Sequence, residues 1–178
     1  TPLCTPWDLN SLQALEEYGM EFYKVASADL TNHPFLEALI NTGKPLICST
    51  GMSTEVEIKK TVNFLRRKGA SFALLHCNST YPTPYKDVNL AYLQKLKDIS
   101  GGLVGYSGHE RGTCVPVAAV TFGAKIIEKH FTVDQSMEGN DHKVSLMPDD
   151  FKRMVSEIRA VEESIGTPDD RLLTQGEM

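Results

Sequence analysis

Residues 102–132 read GLVGYSGHERGTCVPVAAVTFGAKIIEKHFT, and this stretch decides the predicted fold. Apolar runs at Leu103–Tyr106 and Ala124–Phe131 predict two buried strands, and the segment between them, Thr113–Phe122, predicts a helix. The helix is expected to end at Gly123, because glycine readily adopts the left-handed conformation that commonly terminates a helix. Strand, helix and strand in this order form a parallel βαβ unit.

A histidine stands at the end of each of these two strands. His109 follows the first strand, and His130 lies near the end of the second. Side chains alternate between the two faces of a strand, which places His130 on one face with Glu128 and puts Lys129 on the other. Neighbouring strands lie about 5 Å apart, so the two imidazoles are expected to converge at the C-terminal edge of the sheet, where α/β folds place their active sites.

The same alternation of strand and helix extends along the rest of the chain. Four earlier apolar segments are predicted as strands, namely Leu3–Cys4, Phe22–Ala26, Pro45–Cys48 and Phe72–Cys77. Thr54 and Glu57 are spaced as a helix capping box, and a last helix from Pro148 is expected to bury apolar residues that include Val155 and Ile165. Six strands that are apolar throughout are typical of a parallel sheet covered by helices.

Two architectures fit this pattern. A doubly wound sheet usually carries a glycine-rich nucleotide turn, and neither GxGxxG nor GxxxxGK[ST] occurs. A (β/α)₈ TIM barrel has eight such units in about 250 residues. We therefore predict an incomplete TIM barrel at residues 1–166, with about six of the eight βα units and without the first two. Residues 167–178 are predicted to be a polar tail leading toward an absent C-terminal domain.

The composition excludes several classes of protein. The 178 residues carry a net charge of -5, which argues against nucleic-acid binding, and no apolar run is long enough to span a membrane. Nothing at Thr1 resembles a signal peptide. The four cysteines form no CxxC pair and match no zinc-site spacing, as is typical of reduced thiols, and we expect a cytoplasmic protein.

Polar residues collect where the predicted apolar strands end. They are Thr5, Lys24, Ser27, Ser49, Thr50, Asn78, Ser79, Ser107, His109, Glu128 and His130. Hydroxyls, a lysine and backbone amides at helix starts suit an anionic, oxygen-rich ligand such as a phosphate. Any one serine is also explained as a helix cap. Lys24, inside an apolar strand, is expected to pair with an acid such as Glu128, to meet a substrate phosphate or carboxylate, or to form a Schiff base.

The two histidines are candidate metal ligands. Two imidazoles completed by oxygen ligands suit Mn²⁺, Mg²⁺ or a similar cation better than a closed tetrahedral zinc site. The loop that follows His130 contains Asp134, Glu138 and Asp141, which are predicted either to support the site or to form an ordinary acidic surface.

Eight stretches together resemble the sialic acid synthase family, which includes N-acetylneuraminate, N-acylneuraminate-9-phosphate, legionaminate and pseudaminate synthases. They are CTPWD (4–8), YKVASAD (23–29), GKPLICSTGMS (43–53), LLHCNSTYPTP (74–84), VNLAYLQKL (88–96), GYSGHE (105–110), EKHFT (128–132) and GNDHKVSL (139–146). They cover nearly the whole chain in the family's order, which makes the combined match specific.

The resemblance implies a TIM barrel that condenses phosphoenolpyruvate with an N-acylmannosamine-type sugar and releases phosphate by C–O cleavage. It implies a divalent metal on His109 and His130, Mn²⁺ first, with Mg²⁺ or Co²⁺ as alternatives. The residues implied to hold phosphoenolpyruvate are Lys24, Ser27, Ser49, Ser79 and Ser107, with Thr5 nearby, and those implied to contact the sugar are Tyr81 and Asp141. Lys24, His109 and His130 are the expected catalytic set.

The resemblance also implies a homodimer in which a C-terminal domain lends an arginine to the partner's site. The family's first two strands carry further active-site residues, so we expect the 178 residues alone to be inactive or nearly so. The open alternatives are another phosphoenolpyruvate-dependent or aldol-type barrel enzyme and, for the isolated chain, a non-catalytic metal- or phosphate-binding module. Whether the sugar carries a 6-phosphate stays open.

Overall fold

The computed structural model describes residues 1–169 and 172–178. In it, five strands form one parallel sheet, and their spatial order is their order in the sequence. The strands are β1 Tyr23–Val25, β2 Leu46–Ser49, β3 Phe72–Cys77, β4 Val104–Gly108 and β5 Ile127–Lys129. Parallel strands in sequential order, connected through helices, are the arrangement of a TIM barrel. The five units form a half-barrel, and the prediction of an incomplete barrel is confirmed.

The helices of the described residues begin and end close to their sequence signals. They are α1 Leu9–Glu17, α2 His33–Asn41, α3 Glu55–Arg67, α4 Tyr92–Ser100, α5 Cys114–Thr121 and α6 Pro148–Ile165. Thr54 and Glu57 form the predicted capping box at the start of α3. Gly123, with φ +90°, lies just beyond α5, in the left-handed region that favours glycine. Within the described part of the chain, no helix is both long and apolar enough to cross a membrane.

The first of the six predicted strands is nearly absent. Leu3–Cys4 contributes only an isolated parallel bridge between Cys4 and Tyr23. The Lys24 N–H donates to the Cys4 carbonyl at 3.0 Å, which ties this segment to the edge of β1. The count of six strands is therefore wrong by one for the described residues, because one bridge does not make a ladder.

The last predicted strand is shorter than expected. Of Ala124–Phe131, only Ile127–Lys129 pairs as a strand. The Ala124 N–H donates instead to the Ala119 carbonyl of α5, at 3.1 Å. At the other end, Phe131 does not pair with β4 and instead forms an isolated bridge with Leu146. The ladder between β4 and β5 therefore stops just before His130.

Helix α6 buries less of its apolar surface than its sequence predicts. Met154 and Ile158 are buried in a small cluster with Val120 of α5, but Val155 and Ile165 are 41% and 55% exposed. The expectation that these two face inward is wrong, because α6 packs mainly through one narrow stripe. The predicted division into a barrel (1–166) and a tail (167–178) stays a prediction, and residues 170 and 171 of that tail lie outside the described residues.

The two faces of the sheet differ in polarity. The helix-covered face is apolar, and its core includes Tyr23, Val25, Leu46, Cys48, Leu74, Val104, Leu36, Leu65, Leu93 and Leu96. The opposite face carries Lys24 on β1 and Ser107 on β4. Cys77 pairs in register with Ser107, which pairs in register with Glu128. Since registered partners in a parallel sheet point to the same side, the three form a polar row across the sheet.

Gly105 of β4 provides a test of this packing. A Cβ at Gly105 would lie 2.4 Å from the Ile126 carbonyl oxygen and 2.6 Å from Leu75 Cδ2. That carbonyl also accepts the Tyr106 N–H at 2.8 Å, so it cannot move without loosening the β4–β5 contact. Gly105→Ala is expected to lower the free energy of unfolding by about 1–3 kcal/mol, measured by urea denaturation of the full-length protein. In Gly102→Ala the new Cβ meets only the Ser100 carbonyl, at 3.9 Å, so a change within about 0.5 kcal/mol is expected. Equal effects from both changes would contradict the packing argument.

Candidate active site

The C-terminal edge of the sheet surrounds a cavity of about 410 Å³. Every residue to which the family resemblance gives a role lines it: Thr5, Lys24, Ser27, Ser49, Ser79, Tyr81, Ser107, His109, His130 and Asp141. Trp7, Met52, Cys77 and Glu128 also line it. Thr50 and Asn78, which also follow predicted strands, are not among the lining residues. These residues lie on many different segments of the chain, and the parallel fold brings them together because it directs every strand to the same edge.

Lys24 is buried and lines the cavity, with oxygen atoms around its ammonium group. Nζ donates to Ser49 Oγ at 2.7 Å and to the Val25 carbonyl at 3.1 Å. Glu128 Oε2 lies 3.5 Å away, and the Glu128 side chain is 44% exposed while that of Lys24 is 9% exposed. An ion pair with one exposed partner is weak. Of the interpretations of Lys24, the pairing with Glu128 is observed, and the location in the cavity leaves the ligand role open.

Gly51 creates room for a cradle of small polar groups. A Cβ at Gly51 would lie 2.4 Å from Ser79 Oγ, 2.8 Å from Ser27 Oγ and 3.2 Å from Cys77 Sγ. The two serine hydroxyls therefore close around a backbone position that only glycine can occupy without displacing them. Hydroxyl donors gathered close to the backbone and near a lysine suit a phosphate or a carboxylate.

The two imidazoles converge as the strand order predicts. The ring centroids of His109 and His130 are 5.2 Å apart, with an interplanar angle of 64°. Tyr81 lies against both rings, stacked on His109 at 4.1 Å and edge-on to His130 at 5.6 Å. The pair therefore lies on one rim of the sheet, next to the cavity that contains Lys24.

Hydrogen bonds define the tautomer of His109. Its Nδ1 lies 2.6 Å from the Asn78 carbonyl oxygen, which can only accept, so Nδ1 carries the proton. Nε2 then has the lone pair, and the Tyr81 hydroxyl donates to it at 2.8 Å. Burial and the nearby acidic groups raise the pKa of Tyr81 to about 12, which keeps this hydroxyl protonated. The imidazole is thus oriented by a backbone carbonyl and directs its lone pair at the cavity side, as metal-binding histidines do.

The two rings differ in their affinity for a proton. Burial lowers the pKa of His130, and the adjacent His109 lowers it further, so His130 is neutral at neutral pH. Burial also opposes protonation of His109, but its contacts with Cys77 and the Asn78 carbonyl outweigh this and raise its pKa. A cation held by the two rings therefore competes with a proton mainly at His109.

The donor set fits a divalent cation of mixed ligation. Residues 1–169 and 172–178 contain no cluster of three or more His, Cys, Asp or Glu side chains arranged to hold a metal ion. Two imidazole nitrogens leave the remaining positions to oxygen atoms of water or substrate. Such a set suits a Mn²⁺-like or Mg²⁺-like ion rather than a closed zinc site.

The acidic loop after His130 contributes one side chain to the cavity. Asp141, at the start of a short 3₁₀ turn (Asp141–Lys143), lines it. Asp134 turns away and accepts hydrogen bonds from the Ser136 N–H at 2.8 Å and the Ser136 hydroxyl at 2.7 Å. Glu138 is likewise not among the lining residues. For Asp134 and Glu138, the surface interpretation is the one that agrees with the structure.

A buried polar cluster behind the histidines was not predicted from the sequence. Lys129 Nζ lies 3.0 Å from Glu110 Oε1, and the side chains of both residues are 0% exposed. The Tyr106 hydroxyl donates to Glu110 Oε2 at 2.5 Å. Burial lowers the pKa of Lys129; burial and the Glu110 carboxylate raise that of Tyr106. Strand alternation offered a signal, because it assigned Lys129 to the helix-covered face, where a lysine needs a partner.

Comparison with known proteins gives consistent matches. The model of the NeuB family matches residues 1–170. The N,N'-diacetyllegionaminic acid synthase of Campylobacter jejuni is 43% identical over 167 residues, which are 92% of this chain and 50% of that protein. The N-acetylneuraminate-9-phosphate synthase of Homo sapiens is 36% identical over 167 residues, which are 93% of this chain and 46% of that protein. The chain thus spans about half the length of the curated relatives it matches.

A solved structure shares the same architecture. The N-acetylneuraminic acid (sialic acid) synthetase of Leptospira borgpetersenii, crystallised in complex with citrate, matches with a TM-score of 0.90 at 37% identity. The match covers 95% of this chain and 59% of that one.

Gly51→Ala tests the cradle in the full-length protein. The new methyl group would displace the Ser27 and Ser79 hydroxyls, and each lost hydrogen bond to a charged group is worth about 1.5–3 kcal/mol. Affinity for inorganic phosphate, measured by calorimetry as a probe of the anion site, is therefore expected to fall about tenfold or more. Gly176→Ala, whose Cβ would meet nothing within 4 Å, is the control. Unchanged affinity in folded Gly51→Ala would exclude the cradle as the anion site.

Proposed function

The chain belongs to the NeuB family, and we propose that the full-length protein containing it condenses phosphoenolpyruvate with an N-acylmannosamine-type sugar, releasing phosphate, in the biosynthesis of a sialic acid. One observation carries the proposal. A single cavity combines a buried lysine, a cradle of hydroxyls and a pair of convergent imidazoles. The relatives named as sialic, legionaminic and 9-phosphate synthases support it.

The lysine end of the cavity is proposed to bind phosphoenolpyruvate. Lys24 supplies the positive charge, and Ser27, Ser49, Ser79 and Ser107 supply hydroxyl donors, with Thr5 at the margin. Charge-assisted hydrogen bonds of this kind are about twice as strong as neutral ones. Ser49 already contacts Lys24 at 2.7 Å, so the charge and one donor are oriented before the ligand arrives. Such preorganisation favours binding because little side-chain freedom is lost on binding.

The histidine end is proposed to hold a divalent metal, Mn²⁺ first, with Mg²⁺ or Co²⁺ as alternatives. His109 and His130 would be its protein ligands. A bound divalent ion would act as a Lewis acid that polarises the aldehyde oxygen of the open-chain sugar. Asn78 supports this role, because its carbonyl orients the His109 ring.

The proposed reaction joins the phosphoenolpyruvate at the lysine end of the cavity to the sugar at the histidine end. C3 of phosphoenolpyruvate forms a bond to the aldehyde carbon of the sugar, and that oxygen takes a proton to become a hydroxyl. Water adds at C2, and the C2–O bond to the phosphate breaks, so that inorganic phosphate leaves with the bridging oxygen. Lys24 holds the phosphate as its negative charge increases on departure. Tyr81 and Asp141, beside the histidines, are proposed to contact the sugar.

The finer identity of the sugar is part of the proposal. N-acetylmannosamine and its 6-phosphate are both candidates, because the relatives include enzymes named for free and for 9-phosphorylated products. We also propose a cytoplasmic homodimer for the full-length protein. The buried free thiols of Cys48 and Cys77 agree with a reducing compartment. For the 178 residues alone, we propose ligand binding without turnover.

His109→Ala and His130→Ala test the metal assignment. Each removes one of two nitrogen donors, and even changes behind a metal ligand cost about 10–100-fold in affinity or activity. Mn²⁺-dependent phosphate release by the full-length protein from phosphoenolpyruvate plus N-acetylmannosamine is expected to fall by more than about 100-fold. Parallel assays with N-acetylmannosamine 6-phosphate identify the preferred sugar. Retained activity in both variants would remove the metal from the proposal.

Lys24→Met separates the phosphate end from the metal end. The KM for phosphoenolpyruvate is expected to rise about 10–100-fold, because a hydrogen bond to a charged group is lost. The Mn²⁺ dissociation constant is expected to change less than about threefold, since Lys24 does not contact either imidazole. Lys95→Met, which breaks only an exposed pair with Glu55, serves as the control. A Lys24→Met variant with a normal KM would place the phosphate elsewhere.

A further inference from the structure

The buried cluster of Lys129, Glu110 and Tyr106 lies directly behind the two imidazoles. Glu110 follows His109 in the chain, and Lys129 precedes His130. Lys129 Nζ donates both to Glu110 Oε1, at 3.0 Å, and to the Glu110 backbone carbonyl. One ammonium group therefore holds the main chain and the side chain of the residue that adjoins His109.

The cluster begins where the β4–β5 ladder ends. The last registered pair is Gly108 with Lys129. His109 and His130 each lie one residue beyond that pair, so no ladder hydrogen bond joins the two histidines. Their backbone carbonyls instead accept from Thr83 and Leu146, which belong to two different loops. The Lys129–Glu110 contact links the two segments through residues that directly adjoin His130 and His109.

We propose that the buried Lys129–Glu110 ion pair, held by Tyr106, is a positioning clamp that fixes the spacing of His109 and His130 for a divalent cation. The inference rests on the proposed function, since it concerns the same metal site. It assigns Lys129, Glu110 and Tyr106 as positioning residues, because all three are on the helix-covered side and none lines the cavity.

Stability alone gives a poor account of such a pair. Both charges lose their hydration when they are fully buried, and replacing a buried ion pair by apolar residues is often neutral or stabilising. What an ion pair adds over an apolar contact is a defined geometry, because the ammonium and carboxylate groups bond in fixed directions. A defined geometry is what a two-histidine site needs, since its two donors come from separate strands.

Gly108 supports the same interpretation. A Cβ at this position would lie 2.7 Å from Glu110 Oε1 and 2.8 Å from Oε2. It would also lie 2.7 Å from Tyr106 Cε1. Glycine therefore leaves the space that the Glu110 carboxylate fills, and the sequence Ser107-Gly108-His109-Glu110 acts as one unit that contributes to both the cavity and the clamp.

Lys129→Met in the full-length protein is the main test. The Mn²⁺ dissociation constant, measured by calorimetry, is expected to rise about tenfold or more. Phosphoenolpyruvate affinity without metal is expected to stay within about threefold of the wild type, because Lys24 lies on β1 and the cradle of Ser27, Gly51 and Ser79 follows β1, β2 and β3. Removal of a nearby positive charge should by itself strengthen cation binding, so weaker binding reports lost positioning. A folded variant that binds Mn²⁺ within about twofold of the wild type overturns the clamp.

Three further variants serve as controls for the Mn²⁺ affinity of Lys129→Met or replace that variant. Lys68→Met breaks an exposed pair with Glu37 at 2.6 Å and is expected to leave Mn²⁺ affinity unchanged. Glu110→Gln keeps the length of the side chain and one oxygen that can accept from Lys129, but its amide nitrogen replaces the oxygen that accepts from the Tyr106 hydroxyl. Its Mn²⁺ affinity is therefore expected to fall less than that of Lys129→Met. An equal loss in Glu110→Gln and Lys129→Met would overturn positioning in favour of charge. If Lys129→Met does not fold, Gly108→Ala displaces the carboxylate without removing a charge, and unchanged Mn²⁺ affinity there overturns the clamp.

The wild-type protein separates this inference from the proposed function. Failure of the wild type to bind Mn²⁺ would reject the proposed metal. The clamp is then judged from the crystal structure of Lys129→Met or Gly108→Ala. A separation of the imidazole centroids unchanged from 5.2 Å overturns it, and a changed separation supports it.

Discussion

The parallel register of the five strands is the constraint on which the site depends. Registered partners point to the same side of the sheet, so Cys77, Ser107 and Glu128 form one polar row, with the helices on the other side. A shift of one residue in any strand would exchange the faces and place polar groups in the apolar core. The burial of residues such as Leu74 and Val104 behind the sheet therefore also holds the polar groups in the cavity.

Much of this arrangement could be predicted from the sequence, because it follows from local rules that repeat. Apolar runs in the sequence located the strands, and the regular alternation of strands with helices along the chain indicated a parallel sheet. Polar residues just after the runs, such as Ser49 and His109, then had to meet at one edge. The resemblance to a family gave these residues roles that spacing alone left open. Each residue that was given a role in this way lines the cavity, whereas the roles themselves remain proposals.

What the sequence did not predict depends on contacts between distant segments. The limits of β5 are set by Ala119 and Leu146, which no pattern within 124–131 reveals. The Lys129–Glu110 pair spans 19 positions, so its partners are recognised only once β4 and β5 are aligned. Gly51 looks like an ordinary turn residue in the sequence, and its importance appears only from the serine hydroxyls that approach it. In each case, the missing information was the neighbour in space.

The hydrogen bond between Tyr81 and His109 has a consequence for the order in which the site fills. A ligand that takes the Nε2 lone pair must first displace the phenol, which then has a free donor facing the cavity. The displaced hydroxyl can donate a hydrogen bond to a second ligand. Occupancy of one subsite would then raise the affinity of the other for its ligand. Two ligands linked in this way would bind cooperatively through one side chain, that of Tyr81.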